Sequence, residues 1–300
     1  MDHAGTETTG EKGLDHSLLP MRLYHKAKKL GVWDPKDIDF TQDKETWQTF
    51  TDEEKEASLR LGAMFQAGEE AVTRDLLPLI RVISMEGRLE EELYLTTFLF
   101  EEAKHTEVFR RFLDEVVGGA GDLTIYHQSH FKKIFYEYLP QAMERLIDDP
   151  SPEAQAEASV TYNMVVEGIL AESGYHAFYT ALQGQLAMPG MFEAVTNLKR
   201  DEARHISYGS YLLQRLISEH DHIWDVVVKR MELLLPHAIG VVDEIFGTMD
   251  PFPFDLKKDD IVAFAMKQFQ TRMEVLRRAR GKTPDEIYSI SEKDVGLTDE

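Results

Sequence analysis

The sequence predicts an all-α protein, a helical bundle with additional helices. Long segments carry apolar residues at the 3.6-residue spacing of an amphipathic helix, and clusters of Gly, Pro and Asp separate them. Almost no segment alternates in the manner of a β-strand. Long helices with short connections are typical of an up-and-down bundle. Hydrophobic residues make up 43% of the 300 positions, which is enough for one large core.

Several helix ends carry recognisable signals. Thr51 and Glu54 match a capping box, and Pro78 should kink or interrupt the helix that begins there. Ser151 followed by Pro152 marks another start, as an N-cap residue and a first-turn proline. The predicted helices are 17–31, 51–84, 88–117, 130–148, 151–184, 190–219, 221–247 and 257–280.

The predicted domain boundaries leave one domain between two polar ends. Residues 1–16 are expected to be a mobile N-terminal segment, and residues 17–282 a single domain. Residues 283–300 form a polar C-terminal tail that we expect to be loose, and residues 32–43 an irregular connection.

Charge and cysteine content exclude several classes of function. A net charge of −21 repels nucleic acids and anionic membrane surfaces. Without cysteine the chain has no disulfide, thiolate zinc site or iron–sulfur cluster, so any metal must be held by His, Asp and Glu. The polar N-terminus lacks the pattern of a signal peptide, and no stretch has the length of a membrane span. We therefore expect a cytoplasmic protein.

The motif Glu-x-x-His occurs twice, in "EEAKH" at 101–105 and "DEARH" at 201–205. Residues three positions apart on a helix differ by about 300° of rotation and about 4.5 Å of rise, so each pair shares one face. Both faces are otherwise apolar, and a buried carboxylate needs a partner. A single such pair could be a structural hydrogen bond, whereas two copies in matching surroundings favour a shared metal site.

The residues that flank the two pairs receive separate predictions. Glu101 and Lys104 fall toward the other side of their helix and are expected to be solvated, and Arg204 is expected to face outward. Asp201 has two interpretations. It could be an exposed aspartate, or its carboxylate could accept a hydrogen bond from a metal-bound histidine across the bundle.

Each pair is preceded by a helix with a lone glutamate on an apolar stripe. Glu69 precedes Glu102 by 33 residues, and Glu167 precedes Glu202 by 35. Two-metal carboxylate bundles take one Glu from each of two helices and Glu-x-x-His from each of the other two. Hard oxygens with some imidazole suit iron or manganese. The predicted metal ligands are Glu69, Glu102, His105, Glu167, Glu202 and His205.

Four segments together resemble the ligand-binding oxidases related to the small subunit of ribonucleotide reductase: "EEAVTRDLLP", "FLFEEAKHTEVF", "VTYNMVVEGILAESGY" and "DEARHISYG". The resemblance extends from about 18 to 280. It implies a ferritin-like four-helix bundle with additional helices, a homodimer, a manganese–iron centre that activates dioxygen, and a bound long-chain fatty acid. It assigns manganese to Glu69, Glu102 and His105, and iron to Glu167, Glu202 and His205. The same ligands would also serve two irons.

The resemblance further implies an ether cross-link between Val72 and Tyr162. Val72 lies one turn after Glu69, so its position near the metals follows from spacing. Tyr162 lies five residues before Glu167, about 140° away on an ideal helix. Only a π-bulge or the other half of the bundle would bring it to the site, so its assignment rests on the resemblance.

Two other functions remain open. One is a radical-generating reductase subunit, although Phe109 occupies the position where many such subunits carry tyrosine, and the tail "EKDVGLTDE" has few apolar anchors for a partner. The other is metal storage or fatty-acid carriage without turnover. The long helices expected after residue 221 argue against the cage packing of storage proteins.

Overall fold

A computed structural model describes residues 7–11, 13–182 and 188–297, and within these ranges it contains helices and turns but no strand. The α-helices are α1 Leu19–Leu30, α2 Thr41–Thr49, α3 Asp52–Asp75, α4 Leu77–Met85, α5 Leu89–Phe112, α6 Ser129–Lys132, α7 Leu139–Arg145, α8 Pro152–Ser159, α9 Glu172–Leu182, α10 Pro189–Glu219, α11 Ile223–Phe246, α12 Lys258–Arg277 and α13 Pro284–Tyr288. Three π-helical segments are π1 Leu113–Val117, π2 Lys133–Tyr138 and π3 Val160–Ala171. Short 3₁₀ turns are Glu7–Thr9, Pro35–Asp37, Leu123–Tyr126, Pro253–Asp255 and Glu292–Val295.

Four elements form the centre of the bundle. α3 packs on α5, π3 packs on α10, and α5 contacts α10. α1 covers α5 and α10 on one side, while α11 and α12 pack against π3 on the other. Because π3 is covered on several sides, its residues from Val160 to Ile169 are all buried. No helix among the described residues combines the length and apolar composition needed to cross a membrane.

The predicted helix starts are confirmed. The Thr51 backbone N–H donates to Glu54 Oε2 at 2.8 Å, and the Glu54 N–H donates to Thr51 Oγ1 at 3.2 Å, which completes the capping box. The Ser151 hydroxyl caps α8 by accepting from the Ala154 N–H. Pro78 lies in the first turn of α4, directly after the interruption that ends α3.

The helix α2 was not predicted, and it begins within the last residues of the connection 32–43 that was predicted to be irregular. Residues 41–49 are helical because Trp47 and the following Phe50 are buried in an aromatic cluster with Phe112. Asp43 is fully buried and accepts from the backbone N–H groups of Gly190 at 2.9 Å and Met191 at 2.7 Å. α2 therefore caps the start of α10, one of the two helices that carry a Glu-x-x-His motif.

The two ends of the chain differ in how far they are described. Residues 1–6, 12 and 298–300 lie outside the described ranges, so the prediction of a mobile segment over residues 1–16 falls partly outside the described residues. The region expected to be a loose tail is folded against the body up to residue 297. Ile287 and Val295 are fully buried there, and the Gln214 side chain on α10 donates to the Asp294 carbonyl at 3.3 Å.

Candidate metal centre

Two groups of buried carboxylates and imidazoles lie at the centre of the bundle. Within each group, one ligand atom from each residue lies within 4.8 Å of the others. Glu102 and Glu202 belong to both groups, so the groups are two adjacent halves of one site. The first consists of Glu69, Glu102, His105 and Glu202, and the second of Glu102, Glu167, Glu202 and His205. We refer to these six residues as the glutamate–histidine cluster.

Helix geometry explains why the six side chains meet. α5 and α10 each present a Glu and a His three positions apart on one face, while α3 presents Glu69 and π3 presents Glu167. All six side chains are buried. The structure thus brings together every residue that the sequence predicted to be a ligand.

Each imidazole is held by an acid from the opposite helix. His105 Nε2 on α5 lies 3.4 Å from Asp201 Oδ2 on α10, and His205 Nε2 on α10 lies 2.9 Å from Glu101 Oε2 on α5. An Nε2–H that donates to a carboxylate leaves the Nδ1 lone pair free. Both Nδ1 atoms face the cluster: His105 Nδ1 is 3.4 Å from a Glu202 oxygen, and His205 Nδ1 is 3.2 Å from a Glu102 oxygen.

The prediction that Glu101, Lys104 and Arg204 face solvent is wrong, because all three are buried. Arg204 Nη2 donates to Glu101 Oε1 at 2.6 Å and also to Asp201. Lys104 Nζ donates to the Gly31 carbonyl at 2.7 Å. The segment after α1 covers this face, so the acids and bases are buried and neutralise each other. The residue pattern of a single helix does not reveal this burial.

A signal for these residues was present in the motifs themselves. Both copies repeat acid, Glu, Ala, base and His in that order, so the acid and the base recur along with the two ligands. Trp33 completes the arrangement, since its indole N–H donates to Asp201 Oδ2 at 2.8 Å and its ring lies 4.1 Å from Lys104 Nζ. Asp201 is fully buried, as the hydrogen-bonding interpretation required.

The pKa values of the cluster residues are shifted because carboxylates and imidazoles are buried close together. Burial raises the pKa of Glu69 to about 8, although the His105 imidazole opposes the rise. Burial and the neighbouring Glu202 raise the pKa of Glu167 well above its usual range. Burial disfavours the imidazolium forms, yet hydrogen bonds to surrounding carboxylates raise the pKa of both histidines well above normal. Protonation of Glu69 and Glu167 would therefore relieve repulsion among the buried carboxylates in metal-free protein.

The unsatisfied atoms of the cluster fit metal ions. Buried polar atoms are nearly always paired, but five in this cluster have no hydrogen-bond partner: Glu102 Oε2, His105 Nδ1, Glu167 Oε1, Glu202 Oε2 and His205 Nδ1. Four carboxylates and two imidazoles can neutralise two divalent cations, and this donor set suits manganese or iron. The residues present can therefore hold a two-metal centre.

Tyr162 and Val72 lie beside the cluster. The Tyr162 hydroxyl is 3.3 Å from Glu102 Oε1 and 3.2 Å from the carbonyl oxygen of Val72. Tyr162 is part of π3, and a π-helical segment was one of the two ways that the sequence allowed for bringing it to the metals. Burial and the Glu102 carboxylate raise the pKa of the phenol well above its usual range, so it is protonated.

An apolar cavity of about 150 Å³ adjoins the cluster. Glu69, Glu167 and Glu202 line it together with Val72, and most of the remaining lining is apolar. The apolar part extends to residues 252–261, after α11. No Lys, Arg or His is among the described residues of the lining.

Comparisons with known proteins agree with this geometry. The family model described as ribonucleotide reductase, small chain, matches residues 21–270. The chain is similar to the V72L mutant of an R2-like ligand-binding oxidase with anaerobically reconstituted Mn/Fe cofactor, with 42% identity, 91% of this chain and 98% of that chain covered, and a TM-score of 0.85. It is likewise similar to the Y175F mutant with aerobically reconstituted Mn/Fe cofactor, with 40% identity, the same coverage and a TM-score of 0.88. The predicted ferritin-like all-α fold is confirmed.

Proposed function

Because the chain belongs to the ribonucleotide reductase small-chain family, and within it to the R2-like ligand-binding oxidases, we propose that it is a manganese–iron oxidase. It activates dioxygen, binds a long-chain fatty acid and oxidises C–H bonds by two electrons, including formation of a Val72–Tyr162 ether cross-link. Manganese is held by Glu69, Glu102 and His105, and iron by Glu167, Glu202 and His205. The proposal includes a homodimer, as the resemblance implies, and a location in the cytoplasm, which the sequence composition favours.

The position of the Tyr162 hydroxyl carries this proposal. A tyrosine at an arbitrary core position would not have its phenol oxygen within 3.3 Å of a carboxylate shared by both halves of the cluster and 3.2 Å from the Val72 backbone. This placement supports oxidation of Tyr162 and Val72 in preference to other side chains, since reactions within a protein depend on close and oriented approach.

The chain's own residues have defined tasks in this chemistry. Bound manganese and iron supply the redox chemistry with dioxygen. Glu101 and Asp201 hold the two imidazoles so that each Nδ1 faces the metal position. In the cross-link, the Tyr162 oxygen bonds to a side-chain carbon of Val72. The phenol O–H and one C–H are lost, which amounts to two protons and two electrons.

The cavity supports a fatty acid as ligand. Its largely apolar lining suits an alkyl chain and excludes water. Because no cationic side chain is among the described residues that line it, a ligand carboxylate would need the metals as its counter-charge.

Mass spectrometry tests the proposal. Protein loaded with manganese and iron and exposed to air should yield a Val72–Tyr162 peptide pair that is lighter than the two separate peptides by two hydrogens. Protein loaded and kept without oxygen is the matched control and should give separate peptides. Separate peptides from metal-loaded, oxygen-exposed protein would contradict the cross-link. Anomalous diffraction at the manganese and iron edges would identify the metal in each half.

A further inference from the structure

A row of buried aromatic rings leads away from the glutamate–histidine cluster. The Phe98 ring stacks on His205, with centroids 3.7 Å apart and planes 8° apart. Tyr94 lies 6.1 Å from Phe98, and Tyr208 lies 5.2 Å from Tyr94. All four side chains are fully buried. The row thus connects one histidine of the cluster to Tyr208 through a continuous series of ring contacts.

Tyr208, at the far end of this row, has a base within reach. Its hydroxyl donates to Glu91 Oε2 at 3.0 Å, and Glu91 is itself buried. Arg215 and Arg88 lie 3.5 Å and 3.8 Å from the other oxygen of Glu91, and they balance its charge. The Tyr94 hydroxyl, in contrast, has no hydrogen-bond partner. Of the two tyrosines in the row, Tyr208 is therefore the one whose proton has an acceptor.

This arrangement matters because a tyrosine loses an electron readily only if its phenol proton can leave at the same time. A neighbouring carboxylate accepts that proton, and closely spaced rings shorten the path of the electron. We propose that Tyr208 is a redox-active tyrosine that gives one electron to the oxidised metal centre through Tyr94 and Phe98, with Glu91 as its proton acceptor. This inference rests on the proposed function.

Electron balance indicates when Tyr208 would act. Reduction of dioxygen to water takes four electrons. Two divalent metals that become trivalent give two of them, and the Val72–Tyr162 coupling gives the other two. Where coupling is prevented, two electrons are missing: Tyr208 gives one of them, and the metal centre would itself give the other by ending one oxidation level above two trivalent ions. The phenol loses an electron to the metal centre and its proton to Glu91 Oε2, which leaves a neutral tyrosyl radical at position 208.

The chain offers a matched control. The Tyr126 hydroxyl donates to Glu56 Oε2 at 2.7 Å, so it has the same kind of carboxylate acceptor. No aromatic ring among the described residues makes a ring contact with Tyr126. A carboxylate partner alone would favour oxidation of Tyr126 and Tyr208 equally, whereas ring contacts that lead to the cluster favour oxidation of Tyr208.

The experiment uses the Tyr162→Phe variant, in which the cross-link cannot form. This protein is loaded with manganese and iron, exposed to oxygen, frozen and examined by electron paramagnetic resonance. We expect a tyrosyl signal that is retained when Tyr126→Phe is added and lost when Tyr208→Phe is added. Adding Glu91→Gln instead should reduce it. Difluorotyrosine incorporated at position 208 should add fluorine hyperfine splitting to the signal without removing the side chain.

The outcomes separate this inference from the proposed function. A signal that persists with Tyr208→Phe, or that lacks fluorine splitting, would overturn the role of Tyr208. So would the absence of any tyrosyl signal in Tyr162→Phe protein that holds both metals by elemental analysis and consumes oxygen. Wild-type protein that binds no manganese or iron and forms no cross-link would overturn the proposed function, and with it this inference.

Discussion

On each of the facing helices α5 and α10, an acidic residue holds the histidine of the other helix. The acid that precedes each motif glutamate reaches over to the other helix and holds its histidine, so Asp201 serves His105 and Glu101 serves His205. Arg204 contacts both acids, and its guanidinium limits the repulsion between them. Each acid thus fixes the ring and tautomer that a metal on Nδ1 requires.

Removing either acid should weaken metal binding. Asp201→Asn and Glu101→Gln each keep the size of the side chain but remove the charge that holds Nε2–H. We expect metal affinity to fall about 10–100-fold in each variant, which is typical for groups that support metal ligands. Competition with a chelator measures the affinity. Glu107→Gln, at an exposed position on α5, is the control and should bind as wild type does. Equal affinities in all four proteins would contradict this role.

Asp75, at the end of α3, should make stability depend on pH. Burial, with Glu144 nearby, raises its pKa from 3.8 to about 6. A carboxyl group with a raised pKa in the folded state stabilises fully below pH 3.8, and this contribution is lost as pH rises through about 6. As pH rises from about 4 to about 7, the unfolding free energy of Asp75→Asn should fall less than that of wild type, by on the order of 1 kcal/mol. Urea unfolding of metal-free protein at both pH values measures the difference, and parallel curves would contradict it.

Among the elements, π3 depends on a close approach to α10. The Asn163 side chain on π3 donates to Glu167 Oε2 at 2.9 Å and accepts from the Ser159 hydroxyl at 2.9 Å. A Cβ added to Gly209 on α10 would lie 2.2 Å from the Asn163 Cβ. Glycine at position 209 therefore leaves room for the amide that orients Glu167, while Glu167 Oε1 stays unpaired toward the metal position.

Gly209→Ala should disturb both packing and the metal site. The added methyl group must displace Asn163, and such overpacking typically costs about 1–3 kcal/mol. Denaturant unfolding of the metal-free protein measures this cost, and chelator competition measures the accompanying loss of metal affinity. Gly62→Ala on α3 is the control, because nothing lies within 4 Å of its added Cβ. It should be neutral or stabilising by up to about 1 kcal/mol. Equal stability of the two variants would contradict the close approach.

Local signals predicted some elements, and long-range packing determined others. Thr51 and Ser151 mark their helices because capping depends on neighbours in the sequence. α2 was missed because it is held by contacts with α10 and with π1 rather than by its own pattern. The position of Tyr162 could not be predicted from ideal helical spacing, because Tyr162 lies in the π-helical segment π3 and its hydroxyl contacts Glu102 on α5, in the other half of the bundle.

The same distinction applies to the site. Glu69, Glu102 and Glu167 could be predicted as one cluster because helical spacing places each on an apolar stripe. Lys104 and Arg204 could not be judged in this way, because their burial depends on the segment around Gly31 and Trp33 that covers α5 and α10. The apolar stripe of one helix identifies its most apolar face. A buried face that carries ionic side chains is mistaken for a solvent-exposed face until the segment that covers it is known.

At the level of the whole molecule, the glutamate–histidine cluster joins α3, α5, π3 and α10 through buried carboxylates and imidazoles, five of whose polar atoms have no hydrogen-bond partner. Removal of manganese and iron with a chelator should therefore lower the melting temperature. Adding metal back should raise it, since a ligand at about 100 times its dissociation constant contributes about 2.7 kcal/mol per site. Differential scanning calorimetry across a metal titration measures the shift. The double variant Glu69→Gln/Glu167→Gln removes one ligand from each half of the cluster, so its melting temperature should respond much less. A wild-type melting temperature that is independent of metal would mean that the cluster does not use cations to hold these four elements together.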